Sequence, residues 1–282
     1  MNFLDWLRVI VLGIIEGVTE WLPVSSTGHL ILLDEIWKGN PEVFTEEFTK
    51  IFDVIIQLGA ILAVVTLFFH KLNPISSFKT DEQKKNTWSL WGKVVAAIIP
   101  TVVVGPFLDD WMDAHLYRWY VVAAMLIVYG IAFIILETKF KDRDSHIVRF
   151  SHLNYKTALL IGVFQLLALV PGTSRSGVTI LGAMILGCSR YIATEFTFFL
   201  AIPAMFGACV LKLFKYVFIK HLAISNLQLL VLLVSMVVAY LVSIVIIKFM
   251  VAYVKRHDFK SFGVYRIVLG ILVILLFAFV LK

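Results

Sequence analysis

Residues 16–29 read Glu16-Gly17-Val18-Thr19-Glu20-Trp21-Leu22-Pro23-Val24-Ser25-Ser26-Thr27-Gly28-His29, inside a stretch from 3 to 33 that is otherwise largely apolar. Glu16 and Glu20 are four apart, so on a helix both carboxylates share one face. Pro23 ends such a helix. Ser25, Ser26 and Thr27 then offer hydroxyls and backbone amides in a turn, and Gly28 permits an unusual backbone angle or a close ligand approach. His29 opens the following apolar segment. A charged side chain in the middle of a membrane helix costs about 3 kcal/mol and marks function more often than packing. Two acids, three hydroxyls in the turn and a histidine within fourteen residues point to an intramembrane site at a broken helix.

The surroundings of that stretch settle its solvent. The chain has 282 residues, 60% hydrophobic and 16% charged, and a mean hydropathy of +0.92. A soluble domain carries about a quarter charged residues and just under half apolar ones. A membrane span takes roughly 20 apolar residues, so the chain can supply at most about eight. This composition excludes a soluble enzyme, a secreted disulfide scaffold and a disordered chain, and predicts an all-α polytopic membrane protein. The net charge of +6 is read as cytoplasmic loops held beside anionic lipid, with no nucleic-acid partner. Cys188 and Cys209 lie in apolar stretches and read as packing residues. The apolar run Val9 to Ile15 ends at Glu16 instead of a small-residue cleavage site, so the first segment is expected to be retained.

Continuous apolar stretches run near 51–69, 94–108, 119–136, 157–171, 196–219, 226–254 and 262–281, the sixth long enough to tilt or to end in an interfacial turn. Two are interrupted, 3–33 and 157–187, the latter by Pro171-Gly172-Thr173-Ser174-Arg175-Ser176-Gly177. At a shift of 149, Gly13 meets Gly162, Glu16 meets Gln165, Ser25 meets Ser174 and Gly28 meets Gly177. At 148, Glu47-Phe48-Thr49 meets Glu195-Phe196-Thr197, and Gly59-Ala60 meets Gly207-Ala208. The chain is therefore read as one integral membrane domain over 1–282. Repeat one covers about 1–70, a connecting hairpin 94–138, repeat two 157–219, and C-terminal spans 226–282. Two inverted repeats with broken, re-entrant hairpins are expected to meet at an intramembrane pocket, with 23–28 and 171–177 as facing non-helical turns. The basic segments 71–93 and 139–156 place themselves in the cytoplasm and Asp109, at a hairpin tip without Lys or Arg, outside. Lys212, Lys215 and Lys220 fit either face.

The second turn leads into a helix whose free N–H groups and dipole suit an anion. Thr173, Ser174 and Ser176 surround it, and Arg175 adds a planar fork for phosphate oxygens. Together the turns carry the groups for phosphoryl chemistry on a lipid-borne phosphate. Ser26 can attack phosphorus, a carboxylate or His29 can move the proton, and Arg175 can stabilise equatorial charge. Paired carboxylates also suit a divalent cation bridging a pyrophosphate.

The block at 16–29 resembles the signature of the bacterial undecaprenyl-diphosphatase family associated with bacitracin resistance. Phe52-Asp53-Val54-Ile55-Ile56-Gln57-Leu58-Gly59-Ala60-Ile61-Leu62 and residues 171–177 resemble its other two blocks, in the same order and over essentially the whole chain. Trp21 for a usual Phe and Val178 for a usual Ala are the departures. The resemblance implies hydrolysis of undecaprenyl pyrophosphate to the monophosphate carrier of cell-wall synthesis at the outer face of the plasma membrane, with a divalent cation, magnesium or calcium. It makes Ser26 the nucleophile and Glu16 and Glu20 the acidic pair, with Ser25, Thr27, His29, Ser174 and Arg175 completing the site. Glu20 or His29 is the working base, Glu16 and Glu20 are the metal ligands, and a homodimer stays open.

Two other classes are weighed. Acid-phosphatase-like lipid phosphatases place a nucleophilic His six positions after a Ser-Arg pair. Here those positions are Leu181 and Phe196, and that mechanism fails. A lipid-phosphate flippase or transporter on the same scaffold is the non-enzyme rival.

Overall fold

The computed structural model describes residues 1–140 and 144–280, except for the side chains of Asp109, Asp110, Asp113 and Val280. The acidic side chains of the expected hairpin tip, and Lys141, Asp142 and Arg143 of the second basic segment, lie outside the described residues. The described chain is helical, with a single bridge between Ile147 and Cys188 and no strand.

The first interrupted stretch forms α1 (Phe3–Thr19) and α2 (Ser26–Ile36), and α3 (Glu46–Ile55), α4 (Gln57–Leu67) and the short α5 (Phe69–Leu72) follow. Next come α6 (Asp81–Leu116) and α7 (Trp119–Lys139). The second interrupted stretch forms α8 (Tyr155–Gln165), a 3-10 turn (Leu166–Leu169) and α9 (Arg175–Ile185), and α10 (Arg190–Phe214), α11 (Asn226–Tyr253) and α12 (Lys260–Leu275) complete the chain. Among the described residues, six helical stretches are long and apolar enough to cross a membrane: Glu46–Leu67, Asp81–Leu108, Trp119–Lys139, Arg190–Ile219, Asn226–Tyr253 and Lys260–Phe279. The fold is that of a polytopic helical membrane protein.

Two expected boundaries move. The segment 71–93 is not all linker: Thr80 and Gln83 form a capping box and start α6 at Asp81, so the second basic half of that segment is helix. The broken segments are non-helical over 20–25 and 170–174, earlier than expected. Ser25 and Ser174 act as N-caps, accepting from Gly28 N and Gly177 N, so helices begin at Ser26 and Arg175. The stretch 226–254 is one unbroken helix without an interfacial turn.

Helix pairing follows small residues. A Cβ on Gly13 would lie 2.7 Å from Ser235 O, and one on Gly162 would lie 2.0 Å from Ala97 O. These glycines let α1 lie against α11 and α8 against α6 at backbone contact distance. Ser235 and Ser243 donate to Val9 O and Gly17 O and seal the first pair. The third large contact joins α7 to α12.

One end of the bundle gathers the basic segments. Lys71 bonds Glu195, Lys93 donates to Phe150 O, and Arg190 forks onto Glu137, whose Oε1 also accepts from Phe259 N. The start of α1 and the end of α2 lie together through Arg8, which bonds Asp34 and Trp37 O. Since α10 starts at the basic end with Arg190, Lys212 and Lys220 lie toward the opposite one.

Candidate active site

The two short helices start from the same local device. Ser25 has φ 74° and Ser174 φ 71°, a left-handed conformation that costs a non-glycine residue about 1–3 kcal/mol and is held only by its surroundings. In each case the strained serine turns the chain sharply into a helix and caps it with its own hydroxyl, at 3.4 Å and 3.1 Å from the glycine amide. The first residue of α2 is Ser26 and the first of α9 is Arg175. The unbonded amides of both first turns, and both positive dipole ends, therefore bracket one space.

That space is a cavity of about 240 Å³ lined by Glu20, Ser25, Ser26, Thr27, Ser174 and Arg175 with Gln57, Thr101 and Gln165. Its remaining wall is apolar, with Ala168, Leu169, Ala204, Met205 and Ala208 among the lining residues. Glu20 is the hub. Its Oε2 accepts from Ser26 Oγ at 3.3 Å and its Oε1 from Arg175 Nη2 at 3.1 Å. Arg175 Nη1 is anchored on Thr197 O, and its Nε is buried without a partner. The 3.3 Å contact is long for a hydroxyl. A second cavity, about 280 Å³, lies at the basic end against Ser189, Arg190 and Lys255 and touches none of the expected residues.

Four expected participants stand away from the cavity wall. His29 spends both ring nitrogens, at 2.7 Å from Ser25 O and 2.7 Å from Tyr265 OH, and its ring stacks on Tyr265. Thr173 is fully buried behind the second turn. Ser176 donates to Leu22 O and so ties turn two to turn one. Glu16 lies one helical turn behind Glu20, fully buried, with neither carboxylate oxygen bonded.

For a divalent cation the donor chemistry is of the right kind. Glu16 Oε1 and Oε2 and Asp53 Oδ1 are buried oxygens without hydrogen-bond partners, and Asp53 and Glu20 are the acidic neighbours of Glu16. Among the described residues no three His, Cys, Asp or Glu side chains converge. Two carboxylates plus phosphate oxygens and water match the way magnesium is held, and fall short of an all-protein calcium cage.

Similarity to known proteins fits this geometry. The profile of the family described as Bacitracin resistance protein BacA matches residues 9–272. The chain belongs to the BacA family. An undecaprenyl-diphosphatase of Lactiplantibacillus plantarum is 54% identical over 271 residues, 96% of this chain and 97% of its own. One from Enterococcus faecalis is 52% identical over 274 residues, 97% and 98% of the two chains, and one from Acetivibrio thermocellus is 53% identical with the same coverage.

This BacA-family chain also carries site residues that the motif reading passed over. Asp53 and Gln57 repeat on α3 and α4 the four-residue spacing of Glu16 and Glu20, with Asp53 Oδ1 buried and Gln57 on the cavity. Gln165 donates to Thr101 at 2.8 Å, and Thr101 sits directly after Pro100 of α6. Arg266 of α12 is fully buried and reaches the backbone of both turns. The signal was present: an arginine inside the apolar stretch 262–281 is as anomalous in a membrane as Glu16.

Proposed function

We propose that this protein hydrolyses undecaprenyl diphosphate to undecaprenyl phosphate and inorganic phosphate, in the manner named for its relatives. The observation that carries the reading is the Ser26–Glu20–Arg175 chain of hydrogen bonds on one cavity wall. Ser26 Oγ attacks the terminal phosphorus, the bridging P–O bond breaks, and the prenyl monophosphate leaves. The hydroxyl proton passes to Glu20, and Arg175 balances charge on the equatorial oxygens. Glu20 hands that proton on to the departing prenyl phosphate. Water then attacks the phosphoserine, giving a proton to the freed Glu20 carboxylate, which returns it to Ser26 Oγ as the Oγ–P bond breaks and phosphate departs. Ser25, Thr27 and Ser174, with the free amides of α2 and α9, cradle the phosphates. A bound divalent cation, held by Glu16 with Glu20, would supply further neutralisation of the diphosphate.

The scaffold is read as two inverted repeats with re-entrant hairpins. Three of the apolar spans lie between the hairpins, an odd number, so the second hairpin enters from the opposite face. Its outer ends agree: α1 and α2 open at the Arg8–Asp34 end, α8 and α9 at the basic end. Helices α2 and α9 have 11 residues each. At 1.5 Å per residue each is about 16 Å long, half of a hydrocarbon core of about 30 Å, a length that supports turns near the midplane. With the basic end inside a bacterial plasma membrane, the hairpin tip near residue 110 is outside, and the cavity is served from the outer face. A cysteine placed at 110 should be labelled from outside and one at 84 spared; the reverse pattern overturns this orientation.

The functional test is direct. Purified protein in detergent should release inorganic phosphate from undecaprenyl diphosphate in a magnesium-containing buffer, and chelation should reduce it. A preparation that moves labelled lipid between leaflets of a vesicle while releasing no phosphate would favour the flippase reading instead.

A further inference from the structure

Among the described residues, the other well-buried arginines each bond a carboxylate: Arg8 has Asp34 and Arg175 has Glu20. Arg266 has none among the described residues, although its side chain is fully buried. Its guanidinium instead donates to four backbone carbonyls. Nη1 reaches Pro23 O at 3.1 Å, and Nη2 reaches Gly172 O at 2.9 Å, Thr173 O at 3.0 Å and Met125 O at 3.4 Å. Pro23 belongs to the unwound segment before Ser25, and Gly172 and Thr173 to the one before Ser174. These carbonyls lie where the chain has left the helix, and so lack helical N–H partners.

Resting on the phosphatase reading above, we infer that Arg266 is a positioning residue that clamps the two strained serine turns face to face and so sets the distance from Ser26 to Arg175. The planar fork suits the task, because two nitrogens in one rigid group reach carbonyls in separate chain segments. The clamp also aims an amide. A trans peptide carries its carbonyl and the following N–H on opposite sides. Holding Thr173 O toward Arg266 therefore turns the Ser174 N–H away from it, and Ser174 lies on the cavity. A second, lighter tie runs parallel, from Ser176 Oγ to Leu22 O at 3.3 Å. Positive φ at Ser25 and Ser174 is the cost of these turns, and a fixed external anchor is what such strain requires. The charge has a further use: with no carboxylate to neutralise it, Arg266 adds positive potential behind an anion site.

The test uses the full chain, purified in detergent and checked for monodispersity, with steady-state phosphate release from undecaprenyl diphosphate. Arg266→Lys keeps the charge and loses the fork. A clamp predicts a kcat lower by about a hundredfold, the scale of a misplacement of about 1 Å, with KM within about threefold of the parent. A kcat within about threefold of the parent overturns the clamp, as does a loss confined to KM, which would make Arg266 a source of binding potential only. If Arg266→Lys does not fold, Ser176→Ala removes the lighter tie, together with the 3.2 Å contact between the Ser176 and Ser174 hydroxyls, and should lower kcat by about tenfold at unchanged KM. An unchanged kcat there overturns the proposal. Release by the unaltered protein separates the two readings: silence sinks the phosphatase assignment, whereas an active parent beside an indifferent Arg266→Lys sinks the clamp alone.

Discussion

The turn before α2 and the turn before α9 share a backbone and differ in charge. Both place a serine at φ near +70°, both cap an 11-residue helix through a glycine amide three residues on, and both line the same cavity. What differs is a handful of side chains. Where the first has Glu16, Glu20 and Ser26, the second has Gln165, Leu169 and Arg175. One local device thus appears twice, once beside an acid and a hydroxyl and once beside a cation. The comparison teaches that the backbone supplies the amides and the strain, while a few side chains decide the charge each half brings to the cavity.

The largest effects should separate the turns from their neighbours. Ser26→Ala, Arg175→Ala and Glu20→Ala are each expected to lower phosphate release by at least about a hundredfold, the range for loss of a positioned catalytic group. If Ser26→Ala kept near-normal release while His29→Ala abolished it, the nucleophile would have to be reassigned and the division between turns redrawn. Glu16→Gln and His29→Ala should cost about tenfold or less, since Glu16 lies a turn behind the cavity and both His29 nitrogens are already engaged. A collapse of activity in Glu16→Gln equal to that of Glu20→Ala would instead move the inner carboxylate into the reaction.

The smallest effects probe the shared backbone, measured by thermal unfolding in detergent. Ser25→Ala and Ser174→Ala lose the cap and keep the strain, so each should destabilise by about 1 kcal/mol. Ser25→Gly and Ser174→Gly release a strain of about 1–3 kcal/mol and lose little capping, so they should be at least as stable as the parent. Equal behaviour at both positions supports one device used twice. A glycine variant that melts well below its alanine counterpart would show that the positive φ is not where the strain resides.

Much of this was legible in the sequence because its signals are local. Composition fixed the solvent, Pro23 and Pro171 marked the breaks, and the shift of 149 paired Ser25 with Ser174, the two residues at positive φ that cap α2 and α9. Glu20, Ser26 and Arg175 stood out as charges and hydroxyls in apolar surroundings, and they share one cavity. Boundaries slipped by a few residues, since a capping serine at positive φ cannot be told by spacing from an ordinary turn residue.

The sequence by itself determined the helices, their apolar faces and the residue types available for phosphoryl chemistry, because helix periodicity, helix breaks and the cost of intramembrane charge act over a few residues. Only the tertiary structure decided which of those residues meet. His29 turned to Tyr265, 236 positions away, and Ser176 tied the turns together at a separation of 154. Arg266 spans 243 residues to one turn and 93 to the other. No periodicity encodes such meetings; they follow from which glycines let helix backbones touch, and from the need of buried donors and acceptors to find partners in a medium that offers no water.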